Sequence, residues 1–286
     1  MTDAALAAGD GRGALEALEG VLRGIPSAVV AVSGGVDSAV VLAAAARVIP
    51  VVVAATGTSP AYAGDDLRIA ADVARRVGVA HVPLTTRETT DARYAINTPA
   101  RCFHCKTELY GRLEALAEAR GLTAILDGTH AGDAADFRPG EAAARARGVR
   151  SPLREAGLAK PEIRAIARLL DLPVWDKPAS PCLASRFPYG EAITVEKLSM
   201  VDRAEAHLHA LGFREVRVRH HGNVARIEVP PERMPDLLRA APAVARELRA
   251  LGYAYVTMDL QGFRSGALNE VLTPEERAQP LAQPRA

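Results

Sequence analysis

Ser33-Gly34-Gly35-Val36-Asp37-Ser38 stands between an apolar stretch, Ala28-Val29-Val30-Ala31-Val32, and a run of helix formers from Ala39 to Ala46. The first stretch reads as a buried parallel strand and the second as a helix. Strand, glycine turn and helix together make a geometry for holding phosphate. Paired glycines let the backbone approach an anion without a Cβ clash. The helix N-terminus adds unpaired N–H groups and a partial positive charge. Ser33 and Ser38 contribute hydroxyl donors. Asp37 is the odd member, because a carboxylate repels phosphates unless a cation lies between them, a role that suits Mg²⁺. The loop lacks the lysine and spacing of GxxxxGK[ST], so it is not a Walker site. The bland alternative is a tight turn that binds nothing.

Working outward, residues 13–23 read as an amphipathic helix packed on the sheet. Val51 to Ala55 reads as a second buried strand ending in the polar turn Thr56-Gly57-Thr58-Ser59-Pro60. That turn lies at a strand's carboxyl end, where open α/β sheets bind ligands. Residues 63–77 form a helix with Leu67, Ala70, Ala71, Ala74 and Val77 on one face. His81 to Leu84 is a third strand, near an edge because of Pro83. A polar loop leads to Arg101-Cys102-Phe103-His104-Cys105-Lys106, followed by a helix to about Ala119. Ala124 to Leu126 is a fourth strand ending in Asp127-Gly128-Thr129. Residues 130–150 carry much charge and little periodicity, as a functional loop does. Another helix spans 160–170. The alternation predicts an α/β fold, a doubly wound parallel sheet, over residues 1–178.

From 179 to 286 a smaller α+β domain is expected. Pro178, Pro181, Pro188 and Gly190 punctuate a turn-rich connector carrying Cys182. Residues 194–211 read as a helix, Glu215 to Val229 as a hairpin about Gly222-Asn223, 232–250 as a helix and Tyr253 to Leu260 as a strand. The tail after Thr273 is expected to be disordered.

The whole chain has 286 residues, 49% of them hydrophobic, and a formal net charge of +1. That suffices for one large or two modest domains and gives no bias toward nucleic acid. Lys106, Lys160, Lys177 and Lys197 are its lysines, so nearly all positive charge is arginine. Asp37, Arg47 and Pro50 interrupt the apolar region 28–56, so no run of about 20 residues exists to cross a membrane. Three cysteines fit a reducing cytoplasm better than a disulfide framework.

Three constellations carry chemistry. Cys102 and Cys105 form a CxxC, and Cys182 stands apart in Ser180-Pro181-Cys182-Leu183-Ala184-Ser185-Arg186. Three thiolates suit a [4Fe–4S] cluster with one iron open, or they are unrelated thiols. In the hairpin, alternation sends Val216, Val218, Ile227 and Val229 to the core. Arg217, Arg219, Arg226 and Glu228 share the other face, with Arg219 opposite Arg226. Facing arginines favour an anion between them, unless the face is simply solvated. The third is the loop Asp127 to Gly140, which meets the phosphate loop in one crevice. There Asp127 can share a metal with Asp37, and Arg138 can neutralise a leaving pyrophosphate.

SGGVDS resembles the loop of the PP-loop ATP pyrophosphatases, whose domain is of the adenine nucleotide alpha hydrolase-like type. SGGVDS, RCxxCK with Leu109-Tyr110, DGT followed by DFRPG, RSPL at Arg150–Leu153, WDKPxxxCLxSRxPYG and VRVR…RIEV occur in one order. Together they resemble the LarE family, from about residue 13 to residue 270. The resemblance implies an ATP-dependent sulfur transferase that makes the nickel-pincer cofactor of lactate racemase. Such enzymes adenylate the carboxylates of pyridinium-3,5-biscarboxylic acid mononucleotide and replace an oxygen of each with sulfur. It implies ATP and Mg²⁺ at Ser33, Gly34, Gly35, Asp37 and Ser38, with Asp37 on the magnesium. Thr58, Asp127, Gly128 and Thr129 complete the expected nucleotide site. Cys182 is the implied sulfur source. It is either sacrificed, leaving dehydroalanine, or held with Cys102 and Cys105 on a [4Fe–4S] cluster that carries sulfide. The CxxC pair puts this chain with the cluster type. Arg186, Glu205, Arg217, Arg219 and Glu228 fall in the implied substrate pocket, and the implied assembly is a hexamer of two trimers.

Two other enzyme readings and a scaffold compete. A PP-loop tRNA-thiolating enzyme would need a broad basic surface, which a near-neutral chain does not promise. Amidation of the NAD synthetase kind would leave the cysteines without a role. A non-enzymatic nucleotide-binding scaffold would not explain thiols and arginines beside an intact phosphate loop.

Overall fold

The computed structural model describes residues 11–135 and 138–278. Asp136 and Phe137 of the DFRPG string, and residues 279–286 of the expected disordered tail, lie outside the described residues. In chain order the elements begin α1 (Arg12–Leu22), β1 (Ser27–Ala31), α2 (Val36–Val48), β2 (Val51–Thr58), α3 (Gly64–Arg76) and β3 (Ala80–Thr85). Then come α4 (Ala92–Ala95), α5 (Arg101–Arg120), β4 (Ala124–Leu126), α6 (Gly140–Ala146), α7 (Pro152–Glu155) and α8 (Lys160–Leu169). The remainder is α9 (Val195–Ala210), β5 (Arg217–His221), β6 (Val224–Glu228), α10 (Met234–Ala250), β7 (Tyr255–Met258) and α11 (Pro274–Ala278).

Two compact units divide the chain: Met1–Ser59, Gly64–Arg87 and Cys102–Ala179 make the first, Pro60–Ala63, Glu88–Arg101 and Ser180–Ala286 the second. The first unit holds a parallel sheet in the order β3-β2-β1-β4. Period-two alternation along β1 sends Ala28 and Val30 to one face and Val29 to the other. The first face is covered by α1, α2, α3, α7 and α8, the second by α5 and α6. The sheet is therefore doubly wound, as expected. Helix α2 is buried almost all round, from Val36 through Ala45, which is why that stretch is so rich in alanine and valine. β3 lies at the sheet edge, where Pro83 costs no central ladder bond.

Four sequence expectations change here. Thr56-Gly57-Thr58 is strand rather than turn, because it pairs with Pro83, Leu84 and Thr85 of β3. Cys102 and Cys105 lie inside α5 rather than before it. The stretch 130–150 is not a long loop: it folds a 3₁₀ turn at Ala131–Ala135 and the helix α6. In α3 the buried residues are Ala70, Val73 and Ala74, and Leu67 is exposed, so the apolar face is turned from the predicted one.

The second unit holds the sheet β5-β6-β7, antiparallel and then parallel. Val216, Val218, Ile227 and Val229 join α9 and α10 in its core. The hairpin register pairs Arg217 with Glu228 and Arg219 with Arg226, as alternation about Gly222-Asn223 requires. Pro60–Ala63 and Glu88–Arg101 belong to this unit through backbone bonds such as Leu183 N–H to Ala61 O, Gly190 N–H to Asn97 O and Ile193 N–H to Ala95 O. β7 is shorter than the predicted strand: Tyr253 is buried before it and Leu260 is exposed after it. Pro274–Ala278 is helical, which corrects the expectation of disorder from residue 274 on.

Candidate functional site

In the first unit β2 and β3 extend to one side of β1 while β4 lies on the other. The carboxyl ends of β1 and β4 are therefore the switch point, where doubly wound sheets open a ligand crevice. Ser33–Ser38 leaves one end and Asp127-Gly128-Thr129 the other. The two loops touch closely. A Cβ on Gly128 would lie 2.7 Å from the Ser38 nitrogen, and one on Gly34 would lie 2.6 Å from the Asp66 carbonyl oxygen. Gly34 also has φ of +75°, which side chains resist. Both glycines are demanded by close backbone approach.

Hydroxyls tie the loop to itself. Ser38 Oγ receives the Ser33 N–H at 3.1 Å and donates to the Gly35 carbonyl at 3.2 Å. Asp37 lies in the first turn of α2, and Lys160 donates to its two oxygens at 2.6 and 2.7 Å. Lys160 is thus the chain's own cation on the Asp37 carboxylate. Lys177 donates to the Gly34 carbonyl at 2.9 Å and to Asp66 Oδ1 at 2.8 Å. Neither lysine was placed at this loop by the sequence reading. The available signal was scarcity: two of only four lysines converge on one loop.

Asp127 is buried and already well satisfied. It accepts from Tyr110 Oη, Thr129 N, Thr129 Oγ1 and Ser151 Oγ at 2.8 to 3.1 Å. These four bonds make it an organiser of this wall; the sequence also suggested it as a metal-sharing partner of Asp37. Burial, then the Asp127 charge, holds the Tyr110 phenol far above its ordinary range, so it remains a donor. Thr58 sits at the end of β2 with its hydroxyl on the Leu84 carbonyl. Arg138 reaches Asp133 at 2.7 Å. His81 donates to Thr56 Oγ1, since that hydroxyl itself donates to the Val32 carbonyl. Burial lowers the His81 pKa below the usual 6.5.

In the second unit Arg186, Glu205, Arg217, Arg219 and Glu228 are all buried and gather in one cluster. Arg186 grips Glu205 with two bonds of 2.8 Å, and Glu205 also accepts the Val218 N–H. Arg219 grips Glu228 at 2.9 and 2.8 Å, and Arg226 adds a bond of 3.1 Å. The anion expected between the facing arginines is therefore the protein's own Glu228. The face is not solvated, because Arg217, Arg219 and Glu228 are enclosed. Burial first, and the Arg186 charge second, press the Arg217 pKa down to about 10, the mark of crowded positive charge.

This cluster also shapes the turn at Cys182. Arg186 donates to the Pro181 carbonyl at 2.9 Å and Arg219 to the Ser185 carbonyl at 2.8 Å. Arg101 donates to the Ala184 carbonyl and to Asn97. Asn97, at φ of +57°, bonds the Pro188 carbonyl. Sequence reasoning quoted Arg101 in RCxxCK but missed its bracing role, and missed Asn97 altogether, because both lie over eighty residues from the turn they brace. None of the three cysteines is in a disulfide. Cys102 and Cys105 fall three apart on α5, on one side of it, and Cys182 caps the 3₁₀ turn Leu183–Arg186. Among the described residues, no three His, Cys, Asp or Glu side chains are gathered as a metal requires, and no helix is long and apolar enough to cross a membrane.

A family profile described as asparagine synthase matches residues 16–132, from α1 to the loop after β4. An uncharacterized protein of Synechocystis sp. is 47% identical over 223 residues, 77% of this chain and 83% of the relative. A pyridinium-3,5-bisthiocarboxylic acid mononucleotide synthase of Lactiplantibacillus plantarum is 40% identical over 228 residues, 79% of this chain and 82% of the relative. An uncharacterized protein of Methanocaldococcus jannaschii is 27% identical over 169 residues, 59% of this chain and 66% of the relative.

Proposed function

The chain belongs to the LarE family, with a PP-loop fold, and we propose that it is an ATP-dependent sulfur transferase of nickel-pincer cofactor synthesis. In this reading it adenylates the carboxylates of pyridinium-3,5-biscarboxylic acid mononucleotide and turns them into thiocarboxylates. The observation that carries it is the phosphate loop at the sheet's switch point, with Gly128 pressed on the N-terminus of α2. Loop N–H groups, Ser33 and Ser38 would hold ATP phosphates, and Lys160 stands ready to neutralise them. Asp37 fits a magnesium as a part-exposed oxygen donor in the loop; Mg²⁺, when bound, would supply charge neutralisation between carboxylate and phosphate.

A substrate carboxylate attacking the α-phosphorus expels pyrophosphate and leaves an acyl-adenylate. Sulfur then attacks that carbonyl and AMP departs, thiolate being a stronger nucleophile than hydroxyl at neutral pH. Three buried guanidiniums, Arg186, Arg217 and Arg219, face two buried carboxylates, Glu205 and Glu228. That surplus suits the substrate phosphate. Cys102, Cys105 and Cys182 are the thiolates that the family reading assigns to a three-thiolate site, although among the described residues they are not gathered as a metal requires. In that reading they would hold a [4Fe–4S] cluster, which would supply the sulfide. The family reading also implies a cytoplasmic homohexamer, which sedimentation would check.

Pyrophosphate release that requires this mononucleotide, with thiocarboxylate detected by mass, is the expected result. Release driven instead by tRNA, and suppressed by salt, would move the chain to the tRNA-thiolating reading. Anaerobic protein should bind about four irons per chain and, given sulfide, turn over repeatedly with Cys182 unchanged in mass. Iron-free protein that works once and leaves dehydroalanine at position 182 would establish the sacrificial version instead.

A further inference from the structure

Lys177 makes the least expected contact in the first unit. It lies 143 residues from Gly34, yet its ammonium donates to the Gly34 carbonyl and to Asp66. Both charged side chains are mostly shielded, at 20% and 14% exposure. The peptide joining Gly34 and Gly35 is planar and trans, so its carbonyl and its N–H point opposite ways. Fixing the Gly34 oxygen therefore aims the Gly35 N–H away from Lys177, as one donor of the phosphate cradle. Gly34 is also seated against Asp66 at the start of α3, so the lysine clamps a contact that leaves no room for drift.

The other end of this clamp is the stretch Val174 to Lys177. Lys177 N–H closes a turn on the Val174 carbonyl. Arg164 of α8 donates to the carbonyls of Trp175 and Lys177 at 3.0 and 3.3 Å. The Trp175 ring lies 4.3 Å from the Arg168 guanidinium. Two residues past Lys177 the first unit ends at Ala179, and the chain runs directly on to Cys182. A compact ammonium with freely directed donors suits two acceptors at a corner better than a planar guanidinium does, which gives this lysine a reason to persist in an arginine-rich chain.

We propose that Lys177 is a positioning residue that sets the Gly34–Gly35 peptide for ATP and transmits nucleotide binding to the connector leading into Cys182. The proposal rests on the reading of the loop as an ATP site, and the test separates the two. Trp175 is the sole tryptophan of the chain, so its emission reports on the connector directly. In the full-length protein, ATP titrated by calorimetry should bind and should shift Trp175 emission. Lys177→Ala should weaken ATP binding by about tenfold, the scale of one charge-assisted hydrogen bond, and abolish the emission shift. Lys177→Arg should restore neither, while Asp66→Asn, which keeps the lysine on Gly34, should weaken ATP less. Thermal melting identifies any variant that fails to fold; where Lys177→Ala does, Lys177→Arg carries the comparison, and ATP binding by it equal to wild type overturns the proposal. Wild-type protein that binds no ATP overturns the nucleotide reading and this proposal with it. Wild type that binds ATP with silent Trp175, or a folded Lys177→Ala that binds ATP equally well, overturns the proposal alone.

Discussion

The phosphate loop and the hairpin cluster both gather charge, but they do so in opposite ways. At the loop, the cations arrive from far along the chain, Lys160 across 123 residues and Lys177 across 143. Asp37 and Lys160 remain part-exposed, so their pairing is cheap to exchange for a ligand. In the hairpin cluster, Arg186 finds Glu205 across 19 residues and Arg219 finds Glu228 across 9, and both pairs are buried. Charge enclosed in this way cannot be withdrawn without leaving its partner stranded. One region is built to be filled, the other to stay assembled.

That contrast is broken most easily at Glu228. Glu228→Ala leaves Arg219 and Arg226 without their shared carboxylate, and loss of one member of a buried pair costs about 3–5 kcal/mol. Denaturant unfolding should show that loss. A variant within experimental error of wild type would mean the cluster is wetter than its enclosure implies.

Asp37→Ala should do the reverse, leaving stability near wild type while removing catalysis. Loss of one preorganised electrostatic group costs about 10²–10³ in rate. Pyrophosphate release under saturating Mg²⁺ measures it, and wild-type turnover would remove Asp37 from the nucleotide site.

These two regions were not equally legible. SGGVDS announces its backbone, because paired glycines before an apolar helix have few other uses. Its crevice with the Asp127 loop followed from both leaving strands at their carboxyl ends; the strand order that makes it the switch point came only with the structure. Hairpin register was equally open to reading, since Gly222-Asn223 and period-two alternation fix which arginines face each other. The identity of the counter-charge was not. Alternation puts Arg219 opposite Arg226 but cannot say that Glu228 lies diagonally between them. Lys160 and Lys177 were hidden for another reason: a side chain brought in by tertiary packing leaves no local pattern. The 130–150 stretch failed because Gly140–Ala146 is only seven residues long, too short for periodicity to show.

Arg217 sharpens the comparison from within the cluster. Arg219 has its fork committed to Glu228, whereas the Arg217 guanidinium lies over the Phe263 ring at 5.0 Å and bonds the Val216 carbonyl. Arg217→Ala should weaken mononucleotide binding by about 1.5–3 kcal/mol, the scale of a charge-assisted hydrogen bond, with ATP affinity unchanged. Equal loss of ATP binding would place the wrong phosphate there.

The smallest expected effect is on pH dependence, and it also separates the regions. His220 of β5 is buried, 3.1 Å from Tyr253 Oη through Nδ1. Its Nε2 stands 3.3 Å from Glu191, near enough for attraction but without hydrogen-bond geometry. Burial lowers its pKa below the usual 6.5; Glu191 opposes that shift, and Lys197 and His221 reinforce it. The folded state therefore keeps a neutral imidazole where the unfolded chain takes up a proton. Below pH 6.5 unfolding binds protons, so stability is complete above that value and declines as pH falls toward the lowered folded value. His81 in the first unit behaves with the same sign, through burial. Melting temperatures between about pH 7.5 and 5.5, where histidine titrates, should fall for wild type and fall less for His220→Gln and His81→Gln. Carboxylate titration is common to all three proteins and cancels in the difference. Parallel curves for His220→Gln and wild type would mean that this imidazole takes up its proton in the folded protein as it does in the unfolded chain. The enclosure that commits Arg219 to Glu228 would then not extend to the next position of the same strand.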